Sequence, residues 1–442
     1  MNLLSFDASY HLVSLFFAAG CLLINFFLTR NLAGSRVAFW ATIFLGFLPR
    51  FIGHGFANGK DMSLLFLFLL SLLTFRLAVN KNSLKWFILA GISLGLALGT
   101  KINSFLLIPI LFFWSGMKLW RQALPSDRAN GQSIAITNII RNLTVYLLVG
   151  ALVMYLVWPE VWGQPIKGMI EAFQHFTITL RGQPVFYFGQ YYRAGLDVPW
   201  HYSFLMLILI TPSLLLVFAG LGFLIVLTSL KEKFLEAYLF CLFWFFIPMS
   251  KYFLPRVPVF DDVRQFIEVL PVLTFFTALG WVWFLRKVEK LKLKPKIFSL
   301  LVQFFLSLYL FGQIIKVTPF EMVYYNELTG GLKGAQGRFD LDFWGVTTKE
   351  AALWLNKNTQ GEITVVMPFA THLLASYVPP RIHVFSGAAT KADYVFLLNR
   401  PSFFNGEIWN YLRSNRPTYQ LCRAGACLSW IFKNEDQRGS NK

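Results

Sequence analysis

Arg50, His54, Asn58, Lys60 and Asp61 fall within twelve residues of one another in LPRFIGHGFANGKDMSL, the stretch from Leu48 to Leu64. Hydrophobic runs flank it on both sides, and charges are otherwise sparse in the first 115 residues. A short polar loop between two such runs reads first as a hydrated turn with interface anchors. Asp61 asks for more: it directly follows Lys60 and starts the next helix, where the N-terminal dipole favours an anion. A carboxylate kept ionised at the mouth of a helix bundle can act as a base or hold a substrate hydroxyl.

A second constellation lies in KYFLPRVPVFDDV, residues 251–263, which places Asp261 and Asp262 just ahead of Arg264 and Gln265 at a helix start. Paired acids can bind a divalent metal or do acid–base work. They can equally be N-terminal caps, and both readings stay open. An Arg at the outer end of a span can also grip a lipid phosphate through two parallel hydrogen bonds.

The elements that must position these groups are membrane spans. The chain has 442 residues, 56% hydrophobic and 18% aromatic, with 14% charged, and a mean hydropathy of +0.54. Forty-eight Phe and fourteen Trp exceed what a soluble core with so few charges could cover. Apolar stretches of bilayer-crossing length recur. About ten spans are expected, at 10–29, 36–52, 62–79, 84–100, 102–120, 141–158, 201–228, 235–254, 264–285 and 297–315. Gly99-Thr100-Lys101 reads either as a loop between two spans or as a break in one bent helix. The net charge of +18 sits mostly in short inter-span loops, which argues for the positive-inside bias and against nucleic acid. Those loops carry, among others, Arg30, Arg76, Arg128, Lys231, Lys233, Arg286 and Lys292. Alternate loops then face outward: 49–61, 159–200, 251–263 and everything after Lys316.

The 159–200 loop contains PIKGMIEAFQHFTITLRG, with Ile166, Met169, Ile170 and Phe173 at helical spacing, as in an amphipathic helix on a membrane surface. After Lys316 the composition turns glycine-rich and polar. Thr347 followed by Glu350 reads as a capping box. ITVVMPF and DYVFLLN read as short buried strands, so residues 316–442 are expected to form a small extracytoplasmic α/β domain. Cys422 and Cys427 flank a glycine-containing turn and are either a hairpin disulfide or two free thiols.

In this order the pieces resemble the multi-span C-type glycosyltransferases that take a sugar from a polyprenyl-phosphate carrier, including protein O-mannosyltransferase and aminoarabinose-transferase relatives. Lys60-Asp61 after Pro49 and His54 is similar to the family's second outer acidic motif. The run Gly95 to Pro109 with Lys101, then WPEVWGQP, VPWHYSF, FDDVRQFIEVLP and TPFEMVYYNELTGG, follow in family order. The first acidic loop of the family has no counterpart: only MNLLSFDASY precedes the first run, and a preceding span and loop are expected to be missing from this sequence. The resemblance implies a polytopic α-helical membrane enzyme of the bacterial inner or plasma membrane. The resemblance implies sugar transfer, with inversion, from a polyprenyl-phosphate-linked donor to a glycan, lipid or protein acceptor on the outer face. It further implies Asp61 as the catalytic-site acid. Lys60, His54, Lys101, Arg264, Asp261, Asp262, Tyr324, Tyr325 and Asn326 become substrate-binding candidates, and a divalent cation stays open as a cofactor. A flippase predicts charges within spans and matched halves, and neither is visible. A non-catalytic protein derived from such an enzyme is the alternative that the missing motif favours.

Overall fold

The computed structural model of the protein describes residues 6–123, 136–229, 234–254, 256–291 and 294–434. Of the basic-loop residues, Arg128, Lys231, Lys233 and Lys292 lie outside the described residues, as does the tail from Glu435. The chain divides into two compact units: Met1–Gly182 with Ala194–Phe311, and Gln183–Arg193 with Gly312–Lys442.

The first unit is helical. Its helices are α1 (Phe6–Ala33), α2 (Ser35–Gly46), α3 (Pro49–Ala57), α4 (Gly59–Lys81), α5 (Leu84–Leu98), α6 (Leu107–Ala123) and α7 (Ile136–Val157). They continue with α8 (Pro165–Gln174), α9 (Tyr202–Leu209), α10 (Ser213–Thr228), α11 (Leu235–Ser250), α12 (Leu270–Val288) and α13 (Pro295–Ile315). Among the described residues five helices are long and apolar enough to cross a membrane, or six if α2 and α3 form one span bent by 65°. Their outer faces carry Phe16, Phe112, Leu148 and Leu300, each well over half exposed, as a lipid solvent permits. This is an integral membrane protein.

Two expected spans are interrupted. The second bends at Phe47-Leu48, where Pro49 opens α3 as its first helical residue, the position a proline tolerates best. Consequently 49–57, expected as loop, is helix. The stretch 201–228 breaks at Ile210–Pro212 between α9 and α10, because proline supplies no N–H to continue the ladder. The central helix is α12, which packs on both α2 and α10. A Cβ on Gly222 would lie 1.8 Å from the Phe276 carbonyl oxygen, and one on Gly280 would lie 2.1 Å from that of Phe218. Small residues at this crossing let the two backbones touch, which is how helices associate where lipid offers no hydrophobic drive.

The second unit is α/β. A hairpin of β1 (Pro184–Tyr187) and β2 (Gln190–Arg193) belongs to it, although the sequence places these residues in an outer loop of the membrane part. Aromatic contacts supply the reason: Tyr187 bridges Phe339 with ring centroids 5.9 Å apart, and the Trp409 indole donates to the Tyr191 hydroxyl at 2.6 Å. The main sheet runs β4-β3-β5-β7-β6, with β3 (Ile363–Val366), β4 (Ile382–Phe385) and β5 (Tyr394–Leu398) parallel. Strands β6 (Tyr419–Arg423) and β7 (Ala426–Lys433) add an antiparallel edge, and Cys422 and Cys427 form the hairpin disulfide. One face of the sheet buries Leu355, Val365 and Phe396; the other buries Val395, Leu397 and Trp430.

Thr347 stands at the N-cap of the helix Thr348–Asn358, but the capping box does not form. Its hydroxyl instead donates to the Asp342 carboxylate at 2.7 Å, and the Thr347 and Val346 N–H groups donate to the same side chain at 3.1 and 2.8 Å. Asp342 thereby takes the Thr347 N–H that a capping box would give to the Glu350 side chain. Burial pushes the Asp342 carboxyl above its ordinary range, and the hydrogen bonds from Thr347 and Val346 act against that. Asp342→Ala strands three donors and is expected to destabilise the second unit by about 3 kcal/mol. Pulse proteolysis in urea measures it, and an unchanged midpoint would refute the assignment.

Candidate active site

The polar residues singled out near Asp61 sit on one helix face by spacing alone. Arg50, His54 and Asn58 follow at i, i+4 and i+8, which stacks them along one side of α3. The His54 Nδ1 and Asn58 Nδ2 atoms are 2.9 Å apart. Asn58 then caps α4: its Oδ1 accepts from the Asp61 N–H at 3.1 Å, while its Nδ2 donates to Asp61 Oδ2 at 2.7 Å. This reciprocal cap fixes the Asp61 rotamer, and the residue is 1% exposed.

Two cations reach Asp61 from distant parts of the chain. Lys101 Nζ lies 2.6 Å from Oδ1, and Arg264 Nε lies 3.6 Å from Oδ2. Lys101 stands where α5 gives way to a 3₁₀ turn at Ile102–Leu106, on extended backbone (φ −160°, ψ 144°). The sequence left loop or bent helix open here, and the structure has a break at Gly99–Lys101. The Lys101 ammonium also donates to the Arg264 carbonyl at 3.1 Å, which ties the break to the 261–269 segment.

That segment is irregular, so its backbone carbonyls need donors from elsewhere inside a bundle. The Gln265 carbonyl receives three: Asn103 Nδ2 at 2.9 Å, Lys251 Nζ at 2.9 Å and the Tyr252 hydroxyl at 2.7 Å. Asp261 and Asp262 both adopt the left-handed region, with φ of 52° and 59°. Aspartate tolerates that region better than most residues, and strained turns of this kind gather at functional sites. The turn aims the two carboxylates at different partners. Asp261 Oδ2 meets Arg264 Nη1 at 2.8 Å, and Asp262 Oδ2 meets Arg50 Nη2 at 2.9 Å. Asp261, which stands at the N-cap of the turn that follows, makes no side-chain cap hydrogen bond; each carboxylate instead meets an arginine. Burial pushes the Asp262 carboxyl above its ordinary value, with Arg50 the strongest pull in the other direction.

Asp61, Lys101, Asp261, Asp262 and Arg264 therefore come together. Lys60 does not: it is exposed, and Lys101 rather than Lys60 is the base on Asp61. A neighbour in sequence at a helix start points to another side, whereas a break 40 residues on can bring its side chain across. His54 is fully buried and meets Asn58. Tyr324, Tyr325 and Asn326 belong to the second unit. There Tyr324 donates to Gln313 at 3.3 Å, Tyr325 stacks on Phe339 at 5.2 Å, and Asn326 caps a turn by accepting from the Leu328 N–H. Among the described residues no group of three or more His, Cys, Asp or Glu converges as a metal site.

Sequence reasoning passed over Glu268 and Lys251. Glu268 is fully buried and lies 3.5 Å from Lys251 Nζ and 3.4 Å from Asn103 Nδ2. Its signal was an acid four residues after Arg264, already inside an apolar run. Arg50, noted only as part of the polar stretch, is 1% exposed and holds Asp262. Chemically, one carboxylate holds Lys101 and Arg264 side by side. Arg264 remains 26% exposed and Lys101 11%, so both cations can be reached at a bundle end. That geometry suits an anionic oxygen bearing developing charge.

Residues 6–129 match the family model described as dolichyl-phosphate-mannose-protein mannosyltransferase, a segment that includes Asp61 and Lys101. No curated relative matches the chain. Among solved structures, the fold is similar to that of ArnT from Cupriavidus metallidurans, in its apo state (TM-score 0.51) and bound to undecaprenyl phosphate (TM-score 0.50). Each is 13% identical, covering 95% of this chain and 83% of that one. It is also similar to the apo oligosaccharyltransferase of Archaeoglobus fulgidus, with TM-score 0.50, 13% identity and 85% of this chain covered. The chain spans about half, 54%, of that oligosaccharyltransferase. The C-type glycosyltransferase resemblance read from the sequence is borne out by this family match and by the shared fold.

Proposed function

We propose that the protein transfers a sugar from a polyprenyl-phosphate carrier to an envelope acceptor, with inversion, on the outer face of a bacterial inner membrane. The observation that carries this reading is Asp61 holding the partly exposed Lys101 and Arg264 together at one end of the bundle. In the reaction the carrier phosphate leaves as the acceptor attacks the anomeric carbon. The leaving phosphate needs fixed positive charge, which Arg264 supplies first and Lys101 second. Asp61, with both oxygens already engaged, positions those cations and orients the acceptor rather than serving as a free base. The likeness to an undecaprenyl-phosphate-bound ArnT supports a polyprenyl carrier.

The ten-span arrangement and the outward placement of the second unit belong to this proposal. The Cys422–Cys427 disulfide supports an oxidising side for that unit. The exposed Ile166 and Ile170 of α8 support a helix lying on the membrane surface. The test is transfer from a lipid-linked sugar donor by protein reconstituted in liposomes. Arg264→Met is expected to lower kcat/KM for the donor by about a hundredfold, the range for losing one preorganised charge donor. Transfer at the unmodified rate would sink the assignment.

A further inference from the structure

A cavity of about 340 Å³ lies in the second unit, on the face of the sheet that buries Val395 and Leu397. It opens where three loops leave the carboxyl ends of β3, β4 and β5: Pro368-Phe369, Ser386–Ala389 and Phe403–Asn405. With β3 central, the chain moves from it to β4 on one side and then back across to β5 on the other. Successive connections therefore pass over opposite faces, and the crevice at their divergence is where open α/β sheets bind ligands. The volume falls at the lower end of small-molecule pockets, enough for a single ring-sized ligand.

The lining narrows the chemistry. Phe369 and Phe403 sit with ring centroids 5.1 Å apart, and Tyr411 adds a third ring from the helix Gly406–Ser414, α-helical from its start. Ring faces suit the C–H surface of a sugar, and aromatic side chains with a polar tip suit its hydroxyls. Ser386, Asn405 and Glu407 are the other polar side chains of the lining, all exposed at the rim; the Ser386 hydroxyl donates to the Pro368 carbonyl at 3.2 Å, and Asn405 accepts from the Ile408 N–H at 2.9 Å. The Glu407 carboxylate can accept hydroxyl protons, and it repels an anion. Arg400 lies over the Phe403 ring at 4.3 Å, but its Nη1 donates to the Phe343 carbonyl at 3.0 Å; Glu407 is the charged side chain of the lining itself, which favours a neutral ligand.

We propose that this cavity is a saccharide subsite of the second unit, taking one uncharged hexose-sized ring. It is separate from the Asp61 cluster and does not rest on the transfer reading. The test is saturation-transfer difference NMR on the purified full chain in detergent, with D-glucose, D-mannose and D-galactose as probes and glucose 1-phosphate as the anionic comparison. At least one hexose is expected to give a signal that glucose 1-phosphate does not match. Ala388→Trp, which puts an indole at a lining position of the cavity, is expected to weaken that signal at least tenfold. Glu407→Gln, at an exposed position, is expected to weaken it at least threefold. Glu407→Arg is expected to invert the preference towards glucose 1-phosphate. Absence of any hexose signal, a stronger signal from glucose 1-phosphate in the unmodified chain, or a hexose signal indifferent to Glu407→Gln overturns the proposal.

Discussion

Asp61→Asn is expected to lower sugar transfer from a polyprenyl-phosphate donor at least a hundredfold, a loss of about 2.7 kcal/mol of transition-state stabilisation. The amide keeps the shape of the carboxylate and can still take part in the Asn58 cap. It cannot balance Lys101 at 2.6 Å or Arg264 at 3.6 Å. Two cations that were held side by side then repel each other, and the site that would receive the carrier phosphate spreads. A stability loss accompanies this, since removing one partner of a buried pair leaves an uncompensated charge costing about 3 kcal/mol. Asp61→Asn combined with Lys101→Met separates the two effects. The double variant restores the thermal midpoint because no unpaired ammonium remains, while transfer stays low because a phosphate-facing cation and its holder are both gone. Recovery of transfer along with the midpoint would show Asp61 to be scaffold only.

The second large effect is on stability. Arg50 and Asp262 are 1% and 3% exposed, and each is the other's ion-pair partner at 2.9 Å. Arg50→Met should cost about 3–5 kcal/mol near neutral pH, because Asp262 is left as a buried carboxylate facing no cation. The deficit depends on pH in a defined direction. Burial already raises the Asp262 carboxyl and Arg50 counteracts it, so without Arg50 the group takes up a proton more readily. A group whose folded-state affinity for protons is raised contributes stability at low pH and loses it as pH rises. Arg50→Met is therefore expected to be least destabilised in acid and increasingly so above the ordinary carboxylate range. Thermal unfolding in detergent at pH 5 and pH 8 reads the difference. An equal deficit at both values would mean Asp262 finds another cation.

Hydropathy is a local property, and the sequence determined what local properties can. Apolar stretches of bilayer length and the polar interruption at 48–64 are read from neighbours within one or two turns, although the interruption was expected as loop and its first part is helix. The shift to an α/β pattern after Lys316 is of the same kind, since strand and helix periods show in a dozen residues. The Cys422–Cys427 bridge is a short-range pairing, and spacing kept it in view without deciding it.

Tertiary structure decided which charge answers which. Lys60 is the neighbour of Asp61 in sequence, yet the ammonium on Asp61 comes from Lys101, forty residues on, and the guanidinium from Arg264. Arg50 and Asp262 are separated by more than 200 residues and find each other only because α3 and the 261–265 turn converge. Glu268 and Lys251 meet for the same reason. Thr347 likewise satisfies Asp342 in place of its own helix cap. In each case a buried charge must be paired wherever the fold brings a partner, and sequence distance carries no information about that. The hydrophobic pattern draws the helices; the need to neutralise what they bury selects the contacts of the site.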